Sequence, residues 1–212
     1  MQFLGSRDMA TIQINGEIHE GMGAPFSEEL RSNPGPVDVI INSPGGIATE
    51  GAAMLAAIES HGQVNIWVRG IAASAATLPM IAGRTIHIHT SALIMIHNPS
   101  AFTFGTADEH RKSATALEKM GDTYAQSYAR FTGHPVDRIA AWMAEETWLT
   151  AQEALDLNFC DQIEGESDQA EMVAAFDYTR FRHPPDNLKA IVAKNGWATA
   201  SPKSQKKRTA DA

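Results

Sequence analysis

Val37-Asp38-Val39-Ile40-Ile41-Asn42-Ser43-Pro44-Gly45-Gly46 decides how the rest of the chain is read. Its first six residues are mostly β-branched and apolar, the composition of a buried strand. Pro44 cannot donate to a ladder, so the strand stops there. The two glycines permit backbone angles closed to other residues and leave N–H groups exposed. Beyond them Met54, Leu55 and Ile58 follow a helical spacing until Ser60-His61-Gly62 ends the run. A strand that passes through a glycine turn into a helix is the repeating unit of a parallel α/β domain.

The same alternation continues outward. Residues 11–17 alternate, with Ile12 and Ile14 on one face, and predict a half-buried strand ending at Gly16. Residues 27–32 predict a short helix capped by Ser27 and stopped by Asn33-Pro34-Gly35-Pro36. Downstream, residues 64–68, 85–89 and 93–96 read as strands. Residues 72–82, small and apolar throughout, read as a buried helix. The longest helix is expected over residues 106–131, where Leu117, Met120, Tyr124 and Tyr128 form an apolar stripe and Gly133 closes the run. Residues 137–144 and 150–155 predict two more, the second opened by a Thr150/Glu153 capping box. From Gly165 the pattern weakens, and His183-Pro184-Pro185 breaks any helix. The expected organisation is a tail over 1–10, a domain over 11–165, a C-terminal extension over 166–198 and a disordered tail over 199–212.

Composition narrows the class. The chain has 212 residues, 43% hydrophobic and 20% charged, ordinary for a globular domain with a core. No apolar run approaches the ~20 residues of a membrane span, and the first ten residues lack a secretory pattern. A cytoplasmic protein without membrane contact is expected. A net charge of −8 repels phosphate backbones and argues against a nucleic-acid partner. The basic cluster Lys203, Lys206, Lys207 and Arg208 reads as a solvated tail. The single cysteine, Cys160, excludes an internal disulfide and a Cys-based zinc site, and its apolar neighbours mark it as a buried structural thiol.

The chemistry-bearing residues gather in three segments. Ser74, in Gly70-Ile71-Ala72-Ala73-Ser74-Ala75-Ala76, stands between an apolar strand and a helix-like run, where a hydroxyl can face the mouth of a sheet. A serine nucleophile needs a base in hydrogen-bond reach and a carboxylate to orient that base. His97 follows the strand Leu93-Ile94-Met95-Ile96 and is placed to be that base. Exposed N–H groups at the glycine turn can form an oxyanion hole. His87 and His89 share one strand face, but no third ligand at a familiar spacing accompanies them, so neither a metal nor another cofactor is expected. His19, His61, His110, His134 and His183 read as loop or surface residues.

Four segments in fixed order resemble the ClpP family of serine peptidases, within the ClpP/crotonase fold. They are Asn42-Ser43-Pro44-Gly45-Gly46, Gly70-Ile71-Ala72-Ala73-Ser74, Met95-Ile96-His97-Asn98-Pro99, and Trp148-Leu149-Thr150-Ala151 through Glu153-Ala154 with Cys160-Asp161 beyond. The resemblance spans residues 11–164. It implies repeated β-β-α units with a long handle helix, and a serine endopeptidase with Ser74 as nucleophile and His97 as base. It implies an oxyanion hole from the N–H groups of Gly46 and Ala75, and a substrate strand paired with residues 45–47 (Gly45, Gly46, Ile47). The triad acid is a departure: Glu146 stands where the family carries aspartate, with Glu145 and Asp161 as the other acids, and the Glu145-Glu146 pair also reads as a solvated helix end. The resemblance further implies a homo-oligomeric ring acting on protein or peptide substrates.

His97-Asn98-Pro99, Glu146-Thr147-Trp148 and Phe176-Asp177-Tyr178-Thr179-Arg180-Phe181 resemble the ClpP-related head maturation proteases of tailed bacteriophages. That implies scaffold or capsid proteins as substrates, in a host cytoplasm. A housekeeping ClpP-like subunit, a crotonase-type acyl-CoA enzyme and a non-catalytic ring protein stand as alternatives. The long helix departs from the housekeeping pattern, so docking of an AAA+ unfoldase stays open.

Overall fold

Strands β1 (Ala10–Asn15), β2 (Val37–Ser43), β3 (Val64–Ala73), β4 (Thr85–His89) and β7 (Gln162–Glu164) lie side by side, all parallel, in the order β1-β2-β3-β4-β7. The computed structural model describes residues 9–165 and 173–199. Of the tail expected over residues 1–10, residues 1–8 lie outside the described residues, as does the basic cluster between Lys203 and Arg208.

Helices α1 (Gly23–Ser32) and α2 (Ala48–His61) follow β1 and β2, as the alternation requires. Val37, Val39 and Ile41 of β2 are fully buried and share one core with Phe26, Leu30, Met54 and Ile58. Helix α1 begins four residues before the predicted Ser27 cap. The Ser27 hydroxyl donates instead to the Gly23 carbonyl (2.8 Å). The Glu50 carboxylate of α2 accepts the N–H groups of Gly23 (2.7 Å) and Gly21 (3.0 Å). Those backbone bonds hold the Glu50 carboxyl below its ordinary pKa.

β3 carries the feature that positions the site. Ile41 pairs with Val68 and Ser43 with Ala72, so two steps along β2 match four along β3. The excess is taken up at Arg69-Gly70. Gly70 has φ +95°, and a Cβ there would lie 2.6 Å from the Asn42 side-chain oxygen, so only glycine fits the bend. Below the bend β3 pairs with β4. Above it, residues Ile71, Ala72 and Ala73 pair with Leu93, Ile94 and Met95 of β5 (Leu93–Ile96). β5 then pairs antiparallel with β6 (Thr147–Thr150).

This corrects the expected helix over 72–82. Ala72 and Ala73 belong to β3, Ser74–Ala76 form one 3-10 turn, and only α3 (Thr77–Ile81) is α-helical. A run of small apolar residues has no period that separates a buried strand from a buried helix. Pairing with β5 decides it.

The long helix is α4 (Ala107–Thr132), opened by a Thr106/Glu109 capping box and closed at Gly133 in the left-handed region (φ +77°). Helices α5 (Val136–Glu145) and α6 (Ala151–Asp156) complete the domain, α6 with the predicted Thr150/Glu153 capping box. Within α4, Gly121 has room for a side chain: a Cβ would lie 3.7 Å from Pro99 Cδ and 3.8 Å from the Asn98 oxygen, ordinary contacts. A mid-helix glycine costs about 0.5–1 kcal/mol against alanine. Gly121→Ala should therefore raise the thermal unfolding midpoint; a lowered midpoint would mean that the helix needs the glycine.

The described residues divide between Ala174 and Ala175 into two compact units. The second holds a 3-10 turn (Tyr178–Arg180) and α7 (Asp186–Asn195). In it the Asp177 carboxylate accepts the N–H and hydroxyl groups of both Thr179 and Thr199. The Phe176, Tyr178 and Phe181 rings cluster, and Tyr178 is fully buried.

Candidate active site

Ser74, His97 and Glu146 each flank a strand end. Ser74 follows the last residue of β3, His97 follows the last of β5, and Glu146 precedes the first of β6. β3 and β5 are parallel neighbours, so their ends meet. β5 and β6 are antiparallel, so the end of one meets the start of the other. Sheet topology alone brings the three residues to one place.

The contacts follow from that placement. Ser74 Oγ is 2.7 Å from His97 Nε2, a short hydrogen bond between hydroxyl and imidazole. On the other side of the ring, His97 Nδ1 lies 4.0 Å from Glu146 Oε2, beyond direct hydrogen-bond length but within ion-pair range. The Glu146 side chain is only 2% exposed, and the Trp148 indole N–H donates to its Oε1 (3.3 Å). The reading of the acidic pair as a solvated helix end thus holds for the exposed Glu145 and fails for Glu146. Glu146 is the C-cap of α5 with φ +57°, and this left-handed turn sends the chain into β6. Asp161, the other acid in view, accepts the Ile86 N–H (2.7 Å) at the start of β4.

Ser74 itself has φ +55°, a region costly for a residue with a Cβ, of order 1–3 kcal/mol. The glycine turn is packed directly on it. A Cβ at Gly45 would lie 2.5 Å from the Ala73 carbonyl oxygen and 2.7 Å from Ser74 Cβ. At Gly46 a Cβ would fall 2.2 Å from the Ile18 carbonyl oxygen, and at Gly51 2.4 Å from that of Ala75. No larger residue fits at any of the three without moving backbone.

The glycine turn and the 3-10 turn also leave backbone N–H groups unused by the ladders. Ile18 N–H donates to the Gly45 carbonyl (2.7 Å) and Ile47 N–H to the Ile18 carbonyl (2.9 Å). Successive N–H groups of an extended segment point to opposite edges, so the Gly46 N–H faces away from Ile18. The Ala75 N–H belongs to the first turn of the 3-10 segment, which by position supplies it no helical acceptor. A hydroxyl bonded to an imidazole, a buried carboxylate behind it and backbone donors beside it form an arrangement suited to acyl transfer.

Walls for the cleft come from Ala48, Ala75, Leu78, Pro99, Tyr124 and Tyr128. The tyrosines were legible only as part of the helical stripe, which cannot distinguish core from cleft. The Tyr128 hydroxyl is 2.6 Å from the Thr77 hydroxyl, and burial pushes the phenol pKa up.

The remaining candidates have other partners. His87 Nδ1 bonds the Glu164 carboxylate (2.8 Å) while its ring stacks on Trp67, and His89 Nδ1 bonds the Ser91 hydroxyl (2.8 Å). Among the described residues no cluster of three His, Cys, Asp or Glu side chains could hold a metal ion. His61 and His134, read as surface residues, are half-buried and bond the carbonyls of Asn33 and Leu157. No described helix is long and apolar enough to cross a membrane.

Cys160 is 5% exposed, and burial, with Asp161 adding to it, pushes its thiol up to about 12. At pH 8 the native thiol is therefore neutral, and Ellman's reagent should modify it only after denaturation. Rapid modification of the folded protein would contradict that burial.

Comparison with known proteins agrees with this architecture. A family model described as Clp protease matches residues 8–167. The ATP-dependent Clp protease proteolytic subunit 3 of Rhodococcus jostii (strain RHA1) is 32% identical over 162 residues, covering 72% of this chain and 80% of that protein. A solved structure of a ClpP1 mutant from Listeria monocytogenes superposes with a TM-score of 0.67 at 24% identity, covering 74% of this chain and 92% of that one. At that identity the likeness bears on the fold, which is the ClpP-like α/β fold. With the family model spanning most of its length, this chain belongs to the Clp protease family.

Proposed function

We propose that this protein is a serine endopeptidase that cleaves peptide bonds through an acyl-enzyme on Ser74. The observation that carries the reading is the 2.7 Å contact between Ser74 Oγ and His97 Nε2. His97 Nε2 takes the hydroxyl proton as Oγ attacks the scissile carbonyl carbon. The oxyanion that forms is held by the N–H groups of Gly46 and Ala75, each worth about 3 kcal/mol in such a site. Collapse expels the amine, which leaves with the proton from His97. Water then attacks the ester with the same imidazole as base, and Ser74 is restored. Glu146 orients His97 and stabilises its charged form.

The extended segment 45–47 uses one edge on Ile18, and its other edge is the place for a substrate strand held by main-chain bonds. Ile47 is 40% exposed there. Labelling by a fluorophosphonate tests the whole reading. The wild type should label at Ser74, and Ser74→Ala should not.

A homo-oligomeric ring is part of the proposal. The first turns of α4 are exposed on all sides, and Phe102 and Phe104 before them are fully exposed. Exposed apolar groups of that size mark an interaction surface. Analytical ultracentrifugation should show a species several times the monomer mass.

Family membership favours peptide over acyl-CoA chemistry. For the biological setting, the phage-like segments support capsid or scaffold cleavage. The name of the Rhodococcus relative supports the second reading, a proteolytic subunit served by an ATPase. Digestion of an unfolded protein such as casein without any ATPase separates them. Unassisted cleavage is expected for the maturation protease.

A further inference from the structure

A second cavity, of about 300 Å³, adjoins the Ser74 cleft at Pro99. Pro99 is a wall of both spaces. On α4 the residues facing the cavity, Leu117, Gly121 and Ala125, run directly into Tyr124, which faces the cleft. A rise of 1.5 Å per residue puts Gly121 only about 4–5 Å along the axis from Tyr124, less than two residues of an extended peptide at ~3.3 Å each. A substrate strand in the cleft can therefore place one side chain in this cavity.

Two further features of the cavity select that side chain. Its apolar walls, Pro99, Leu117 and Ala125, suit a run of methylenes. Glu118 and Asp122, one helical turn apart on the same face, bring two carboxylates to it. Among the described residues neither carboxylate is paired with a cation, and like charges at that spacing repel. The third feature is Gly121. Its backbone tolerates a Cβ, and glycine is a poor helix residue, so its lack of a side chain has one visible consequence, which is that the cavity stays open.

We infer that this cavity is a specificity subsite for a lysine or arginine side chain of the peptide substrate. The inference rests on the protease reading above and adds the substrate class. The methylenes lie along Pro99 and Leu117, and the cationic head meets Glu118 and Asp122. The overall charge of −8 attracts such chains before they bind.

Internally quenched peptides that differ only by Lys, norleucine or Ala at one position, scanned across the scissile bond, test it. At one position Lys should exceed norleucine in kcat/KM by about tenfold, the factor equivalent to 1.4 kcal/mol of differential binding. Raised salt should shrink that ratio. The double variant Glu118→Gln/Asp122→Asn should bring it close to unity. Gly121→Leu, which fills the cavity, should lower cleavage of the Lys peptide more than of the Ala peptide. Absence of a Lys preference at every position, or its survival in the double variant, overturns the inference. So does a change of oligomeric state in the double variant, which would mean that the carboxylates face another copy. Labelling of wild-type Ser74 keeps the two readings apart. A labelled enzyme without the preference overturns the subsite alone, whereas an unlabelled one overturns the protease reading beneath it.

Discussion

Ser74→Ala should lower peptide hydrolysis by roughly 10⁴-fold or more, because the hydroxyl is the atom that becomes acylated. The substitution removes only Oγ. Alanine keeps the backbone in the same left-handed turn, the glycines still pack against it, and the thermal midpoint should stay near that of the wild type. His97→Ala should cost a comparable factor, since without the base 2.7 Å away the hydroxyl is a weak nucleophile. The double variant should be hardly worse than either single one, because the two residues act as a unit. Turnover of a fluorogenic peptide, corrected by active-site titration for traces of wild type, measures all three. A Ser74→Ala protein with turnover comparable to the wild type sinks the acyl-enzyme reading. Additive losses in the double variant would mean that serine and histidine serve separate steps.

The fold was legible where the signal is local. Pro44-Gly45-Gly46 stops β2 by chemistry contained in three residues, and the capping box at Thr150/Glu153 fixes a helix start in the same way. What escaped is set by distant partners. Ala72 and Ala73 are strand residues only because β5 lies beside them, and β5 can reach them only because β3 bends at Gly70. β6 and β7 have four and three residues, too short to show a period. α7 was hidden by Pro184-Pro185, taken as a breaker. Pro185 is in fact the N-cap, a helix start where its missing N–H costs nothing.

The candidate site divides along the same line. Residue types around Ser74 and His97 pointed to nucleophile and base, but their approach depends on the β3–β5 pairing, across 23 residues of sequence. Glu146 was ambiguous because the sequence of a helix end does not show which of two glutamates the C-cap turns inward. Its left-handed φ does so, and Glu145 is left in solvent. Tyr124, Tyr128 and the cavity beside Gly121 had no sequence signal beyond a helical stripe. They acquire meaning only from what α4 packs against.

Glu146→Gln should reduce turnover by roughly 10²-fold while leaving the fold intact. The amide matches the carboxylate in shape, so the buried turn between α5 and β6 can close as before. What disappears is a negative charge 4.0 Å from His97 Nδ1, in a place only 2% exposed and so poorly screened. That charge stabilises the imidazolium that forms as Ser74 attacks. An acid in direct hydrogen bond to the ring also fixes its tautomer, and losing that function costs about 10⁴-fold in the serine protease triad. At 4.0 Å the hold on the tautomer is weaker, and the smaller factor follows. Glu146→Asp keeps the charge but draws it back by one methylene, so its rate should fall between wild type and Gln. Glu146→Gly removes the carboxylate as Gln does and relieves the left-handed strain besides, so its turnover should fall at least as far as that of Gln, and the difference in melting midpoint between the two reads the strain relief against the lost packing. Rates and melting midpoints for the three variants separate charge from turn geometry. Full activity in Glu146→Gln would leave the residue with a structural role only, and His97 would then owe its orientation to β5 and its ring contacts rather than to an acid.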